Sequence, residues 1–243
     1  MKVLVFDIAG RCAHFRKYYT NSSSLTYSVP PRTTICGLIA GMLGIERDAY
    51  YDQFTPGKAD IGVQILKPAR KVMQTVNYMK ILGPKDFIQP KNHTQIPFEI
   101  LTGDEGVAYR IYFSSNQAEI MDRMTEYVRE GRSWYPPYLG AAPFQCSISY
   151  VCDAEADYAT RAGQIRVSSL VRVESIKEKT LDILSEPVSL YRENMPRYFE
   201  EGRTLHETAS YLYDVNGKAL KMEVKEPVLS LEIRKEPVYV TFM

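Results

Sequence analysis

Apolar positions set out a regular series of elements along the first 153 residues. Residues 2–9 (KVLVFDIA) form a short β-branched run with one acid, the pattern of a buried central strand. Ile35, Leu38, Ile39, Met42 and Leu43 recur at the i, i+3, i+4, i+7, i+8 spacing of a helical stripe. Pro30 and Pro31 hold the chain extended before that helix, Thr33 or Thr34 offers an N-cap oxygen, and Gly44 suits its end. Gly37 and Gly41, one turn apart, leave room for another element to approach the helix closely. Residues 47–54 read as a short helical turn, 60–66 and 107–115 as alternating strands, and 144–152 as another strand. Between the last two, residues 117–129 place Ile120, Met121, Met124, Tyr127 and Val128 on one face of a second helix.

The order is strand, helix, strand, strand, helix, strand. This predicts an α+β fold of the ferredoxin-like, RRM-like βαββαβ kind over residues 1–153. A Pro-, Gly- and Lys-rich stretch at about 67–103, with a possible strand over 72–82, reads as an inserted β-hairpin arm. Residues 154–243 predict a smaller β-rich module. Its expected strands cover 165–176, 188–190, 228–233 and 238–242, with a loop over 194–203. A hairpin over 211–224 is expected around Asn216-Gly217.

Charge sharpens the picture through its distribution. The totals nearly cancel, 30 Lys and Arg against 29 Asp and Glu. Yet Lys67, Arg70, Lys71, Lys80, Lys85 and Lys91 face only Asp86 over residues 66–93. Lys2, Arg11, Arg16, Lys17 and Arg32 face only Asp7 over residues 1–35. Bases interleaved with aromatics, as in Arg11, His14, Phe15, Arg16, Lys17, Tyr18 and Tyr19, suit single-stranded nucleic acid, with Phe15 the residue most expected to turn into the core. The N-terminus of the first helix beside Arg32 reads as an anion site, or else as a well-capped core helix. Four cysteines without C-x-x-C spacing, no leader and no apolar run of membrane length predict a soluble cytoplasmic protein with reduced thiols. The three dispersed histidines show no metal-ligand pattern, and no cofactor motif is present.

Gly10, the tetrad Ala13-x-Phe15-Arg16, Tyr27, the run from Val29 through Pro30-Pro31-Arg32 to Gly44, and Tyr138-Leu139-Gly140 together carry a resemblance. The sequence resembles the CRISPR-associated family-five subunit of type I Cascade complexes, a RAMP protein, nearest the subtype I-B branch. The resemblance covers roughly the first 150 residues. It implies a ferredoxin-like domain with a protruding β-hairpin thumb that holds the 5′ handle of the crRNA. The backbone and large subunits of the complex would be its neighbours. Carried onto this chain, it assigns Arg11, Arg16, Lys17, Arg32 and Thr33 to the handle, with His14 and Tyr18 of the same loop as further RNA-binding residues. The thumb, matched by place and composition only, adds Lys67, Arg70, Lys71, Lys91, Asn92 and His93.

One branch of that family instead cleaves the precursor RNA without metal. Such chemistry needs a base, an acid and a cation, for which Lys91, His93 and Tyr50 or Tyr51 are the available residues. Here Asn92 separates Lys91 from His93, whereas that branch has the two adjacent. A third reading is a protein-only scaffold. The sequence therefore predicts a non-catalytic crRNA-binding subunit, with no catalytic residue, metal or cofactor.

Overall fold

The apolar run that opens the chain forms β1 (Lys2–Ala13). It continues past its expected end because its partner resumes pairing beyond a register shift between Gly10 and Cys12. The computed structural model describes residues 1–21, 23–159 and 163–243. Val3, Leu4, Val5, Phe6 and Ile8 are all fully buried, so both faces of β1 are covered. Leu4, Phe6 and Ile8 face a cluster with α1 (Arg32–Leu43) and α3 (Ala118–Glu130); between these two in the chain lies a five-residue turn of helix, α2 (Pro84–Ile88). Val3 and Val5 face Leu229, Leu231, Ile233 and Val240 from the C-terminal part. That double burial explains the unbroken apolar pattern.

Two short strands, β2 (Phe15–Arg16) and β3 (Thr26–Tyr27), pair across the first loop. The central sheet then takes β4 (Ala59–Lys67), β6 (His93–Ser115) and β7 (Ser147–Glu155) in the order β4-β6-β1-β7, every neighbour antiparallel. The 23-residue β6 is its spine. The C-terminal half of β6 lies between β1 and β4, while its N-terminal half pairs with β5 (Arg70–Met79). The β5–β6 hairpin carries α2 at its tip, where Tyr78, Met79, Leu82, Phe87 and Ile88 are exposed.

Beyond β7 the chain adds β8 (Asp157–Ala159), β9 (Ile165–Val167), β10 (Val171–Arg172), β11 (Leu190–Glu200), β12 (Thr204–Asp214), β13 (Leu220–Met222), β14 (Val228–Ile233) and β15 (Glu236–Val240). They form one sheet ordered β13-β9-β15-β14-β8 and another ordered β10-β12-β11. Met195, Ala209, Tyr211 and Tyr213 of the latter join the cluster around α1. The molecule is thus mixed α/β and strand-dominated.

Several expectations are corrected. Neither Thr33 nor Thr34 caps α1; the helix begins at Arg32 after Pro31, whose carbonyl accepts the N–H groups of Thr34 and Ile35. Proline's fixed φ makes that early start possible. Gly37 is approached, by the Tyr50 hydroxyl, but a Cβ on Gly41 would meet nothing within 4 Å. The helical turn expected over 47–54 is only the 3₁₀ turn Tyr51–Phe54. Residues 194–203 are mostly strand: β11 tolerates Pro196 because it is a sheet edge and its register shifts there. Asn216-Gly217 does not close a hairpin. Asp214 Oδ1 accepts the N–H groups of Asn216 and Lys218, and the chain then leaves β12 for β9. Residues 165–176 break into two short strands and a 3₁₀ turn.

Candidate nucleic-acid interface

The first loop is clamped to the sheet by its own backbone. His14 N–H donates to Leu139 O at 3.0 Å, Phe15 N–H to Thr26 Oγ1 at 2.8 Å, and Lys17 N–H to Leu25 O at 2.8 Å. Ser24 N–H donates to Pro97 O and Glu99 N–H to Ser24 O, both at 2.9 Å, which ties the loop to the root of the β5–β6 hairpin. Phe15 is buried against Tyr109, as its apolar ring demands. From this clamped loop Arg16, Tyr18 and Tyr19 point to solvent, and Arg11 is exposed just before it, at the register shift of β1. Arg16 donates to Thr20 O at 3.0 Å, and the rings of Tyr18 and Tyr19 meet edge to face at 5.2 Å. Among the described residues Arg11 and Arg16 form no ion pair.

Two residues expected to touch RNA are instead internal. His14 is buried, stacked on Phe98 at 4.1 Å. Its Nδ1 lies 2.7 Å from Glu99 O, which only accepts, so Nδ1 carries the proton and Nε2 accepts from the Ser24 hydroxyl at 3.0 Å. Arg32 is 1% exposed. Its guanidinium donates to Ala59 O at 2.5 Å and Arg197 O at 3.2 Å, so it closes a strand end and β11 onto α1 instead of facing an anion at the helix N-terminus. Thr33 lies in the first turn and lines a small pocket together with Tyr198 and Phe199 of β11. The third correction concerns the basic segments: their lysines and arginines near the hairpin root are paired. Lys67 meets Glu105 at 3.1 Å and Arg70 meets Asp104 at 2.7 Å, both on the surface.

Lys17 and Lys71 are paired more deeply. Lys17 Nζ lies 3.2 Å and Lys71 Nζ 3.6 Å from Glu193 Oε1, a carboxylate only 5% exposed. Burial works against the Lys17 charge, yet the Glu193 carboxylate beside it raises the ammonium above its ordinary value. Nothing local in the sequence marks Glu193. Its partners lie far away in the chain, and Pro196 disguises its own strand.

Lys91, Asn92 and His93 are exposed at the far end of the hairpin, with Lys80 and Lys85. The ladder from Arg70–Thr102 to Met79–His93 spans about 30 Å at ~3.3 Å per residue. Tyr50 is elsewhere, half-buried on Gly37 and packed against Tyr51 and Phe54, its phenol pushed up mainly by burial. The candidate nuclease residues Lys91, His93 and Tyr50 are therefore not assembled. Among the described residues no three His, Cys, Asp or Glu side chains gather as metal donors, and no helix is long and apolar enough to cross a membrane.

The buried imidazole gives a pH prediction. Desolvation lowers the His14 pKa below its ordinary 6.5, against the opposing Glu99 hydrogen bond. The unfolded chain therefore takes up the proton first, and stability is lost as pH falls through 6.5. Urea midpoints measured at about pH 7.5 and 5.5 should drop more for the wild type than for His14→Gln. Equal drops would remove His14 as the cause.

Residues 3–105 match the family model described as CRISPR-associated protein (Cas_Cas5). No curated protein matches the sequence. The fold is similar to the crystal structure of a CRISPR protein from Archaeoglobus fulgidus, with 13% identity, a TM-score of 0.59, and 98% of this chain and 99% of that one covered. It is also similar to a chain of a CRISPR RNA-guided surveillance complex, at 11% identity and a TM-score of 0.51 over 98% of this chain and 93% of that one. A chain from a type III-B Cmr-beta complex bound to cognate target RNA and AMPPnP aligns at 12% identity and a TM-score of 0.51, covering 91% and 86%.

Proposed function

We propose that this chain, which belongs to the CRISPR-associated Cas5 family, is a non-catalytic crRNA-binding subunit of a type I Cascade complex. It holds the 5′ handle of the crRNA, caps the backbone subunits beside the large subunit, and works in the cytoplasm. In this reading β1, α1, β4, β6, α3 and β7 are a ferredoxin-like domain over residues 1–153, and the β5–β6 hairpin is its thumb. Residues 154–243 form the smaller module packed beneath.

The observation that carries the reading is a loop, clamped by backbone hydrogen bonds, that presents exposed rings with cations that form no ion pair among the described residues. Arg16, Tyr18 and Tyr19 stand on the clamped loop and Arg11 on the β1 strand that leads into it, so phosphate neutralisation and base stacking need little reordering on binding. Lys91, Asn92 and His93, with Lys80 and Lys85, extend the same chemistry along the thumb. The matched family segment spans the loop and all of the thumb to Glu105. Repeat cleavage without metal has less support, since Tyr50 lies apart from Lys91 and His93.

The Arg11→Glu, Arg16→Glu double variant should weaken binding of repeat RNA by roughly tenfold or more near 0.1 M salt. Its salt slope should be shallower by about 0.7 for each phosphate that the variant no longer neutralises. Fluorescence anisotropy across a salt series measures both. Unchanged RNA affinity together with failed assembly would favour the protein-only scaffold.

A further inference from the structure

The Glu193 carboxylate lies at the meeting of three separate parts of the chain. Its Oε2 accepts hydrogen bonds from Ser28 N–H at 2.9 Å and the Tyr213 hydroxyl at 2.8 Å. Its Oε1 receives no aligned hydrogen bond and faces the ammonium groups of Lys17 and Lys71 instead. A second acid closes the group: Glu99 Oε2 accepts from Thr26 N–H at 2.8 Å and lies 3.9 Å from Lys71 Nζ. Lys71 Nζ also donates to Thr26 O at 2.7 Å, and Lys17 Nζ sits over the Tyr27 and Tyr19 rings at 5.5 and 5.9 Å. Two lysines and two glutamates therefore make a network with no net charge.

This network differs in kind from the pairs beside it. The Lys67–Glu105 and Arg70–Asp104 side chains are 40% to 89% exposed, so water and salt weaken them and an arriving phosphate can exchange with the acid. The side chains of Lys17 and Lys71 are 15% and 23% exposed, facing a carboxylate at 5%. Shielded from solvent, that attraction is screened far less than one to an incoming phosphate. The Glu193 carboxylate is held in place by the Ser28 N–H and the Tyr213 hydroxyl, both of which donate to its Oε2.

Resting on the RNA-binding reading, we infer that Glu193 is a positioning residue: it occupies the place of a phosphate for Lys17 and Lys71 and holds both inside the protein. The loop then meets RNA with Arg11, Arg16 and the tyrosine rings. The C-terminal module thereby decides which cations of the N-terminal loop are available.

The test is anisotropy of labelled repeat RNA with the full chain across a salt series, with thermal melts as a folding check. Glu193→Gln keeps the shape and the acceptor for Ser28 and Tyr213 but removes the charge. It should tighten binding at low salt several-fold and steepen the salt slope by about 0.7 to 1.4, one or two further phosphates. A folded Glu193→Gln protein with the wild-type slope, or with weaker binding, overturns the inference. If that variant does not fold, the quadruple variant Lys17→Met, Lys71→Met, Glu99→Gln, Glu193→Gln replaces the network by one without charged side chains. Its slope should equal the wild type's, and a slope shallower by about 0.7 per lysine would mean that the lysines touch phosphate directly. Wild-type protein that binds no RNA would defeat the function itself, and this inference with it.

Discussion

Arg32→Met is expected to destabilise the folded protein by roughly 2–5 kcal/mol, because two buried carbonyl groups lose a charged donor at about 1–3 kcal/mol each. The side chain is 1% exposed and bonds to Ala59 O and Arg197 O, so no water can replace it. Methionine keeps much of the apolar stem, which isolates the loss of the guanidinium from the loss of volume. The consequence also reaches Asp60. Burial already raises the Asp60 pKa, and Arg32 is the first of the cations that oppose that rise. Denaturant midpoints measure the loss, and anisotropy on the folded fraction should return the wild-type RNA affinity within about twofold. A fully stable variant with weakened RNA binding would restore Arg32 to the anion site that its place before a helix predicts.

Gly140→Ala carries the second large effect. Gly140 has φ +81°, and a Cβ there would lie 2.0 Å from His14 O and 2.8 Å from His14 C. The nearest obstacle is the His14 carbonyl, which is backbone, so no rotamer change relieves it. The left-handed conformation adds ~1 kcal/mol for alanine, and displacing packed backbone adds typically 1–3 kcal/mol more. The displaced segment is His14–Phe15, the entry to the candidate RNA loop. The variant should therefore lose about 2–4 kcal/mol of stability and weaken RNA binding as well. Gly41→Ala is the control. It sits in α1 with nothing within 4 Å of its Cβ, and should be neutral or stabilising by up to ~1 kcal/mol. Equal melting temperatures for Gly140→Ala and wild type would contradict the geometry.

These positions also mark where the sequence is readable and where it is not. β1, α1, α3 and the β14 strand are legible because each is fixed by its own periodicity. Exposure of Arg11, Arg16 and Tyr18 follows from a loop too polar to bury. Arg32 and His14 read as surface chemistry for the same local reason, and both turn inward. Their partners are carbonyls and a hydroxyl, groups that every chain has and no pattern advertises. Glu193 is hidden more completely. It lies 165 residues from Ser28, on a strand whose proline looks like a loop signal. The β5–β6 hairpin is visible in outline from its turn residues, but its pairing is not. Val72 to Val76 carry little apolar alternation because that face of the hairpin is open to solvent. Asn216-Gly217 misleads because the dipeptide sets a turn, while pairing afterwards is chosen by burial of Leu220 and Met222 against β9.

The most direct measurement is incubation of the purified protein with labelled repeat RNA, without metal, resolved in parallel on native and denaturing gels. A shifted, uncut RNA, bound most tightly when it carries the 5′-handle sequence and released as salt is raised, is the predicted result. A discrete cut, or no shift at any salt concentration, would contradict a non-catalytic subunit that holds crRNA.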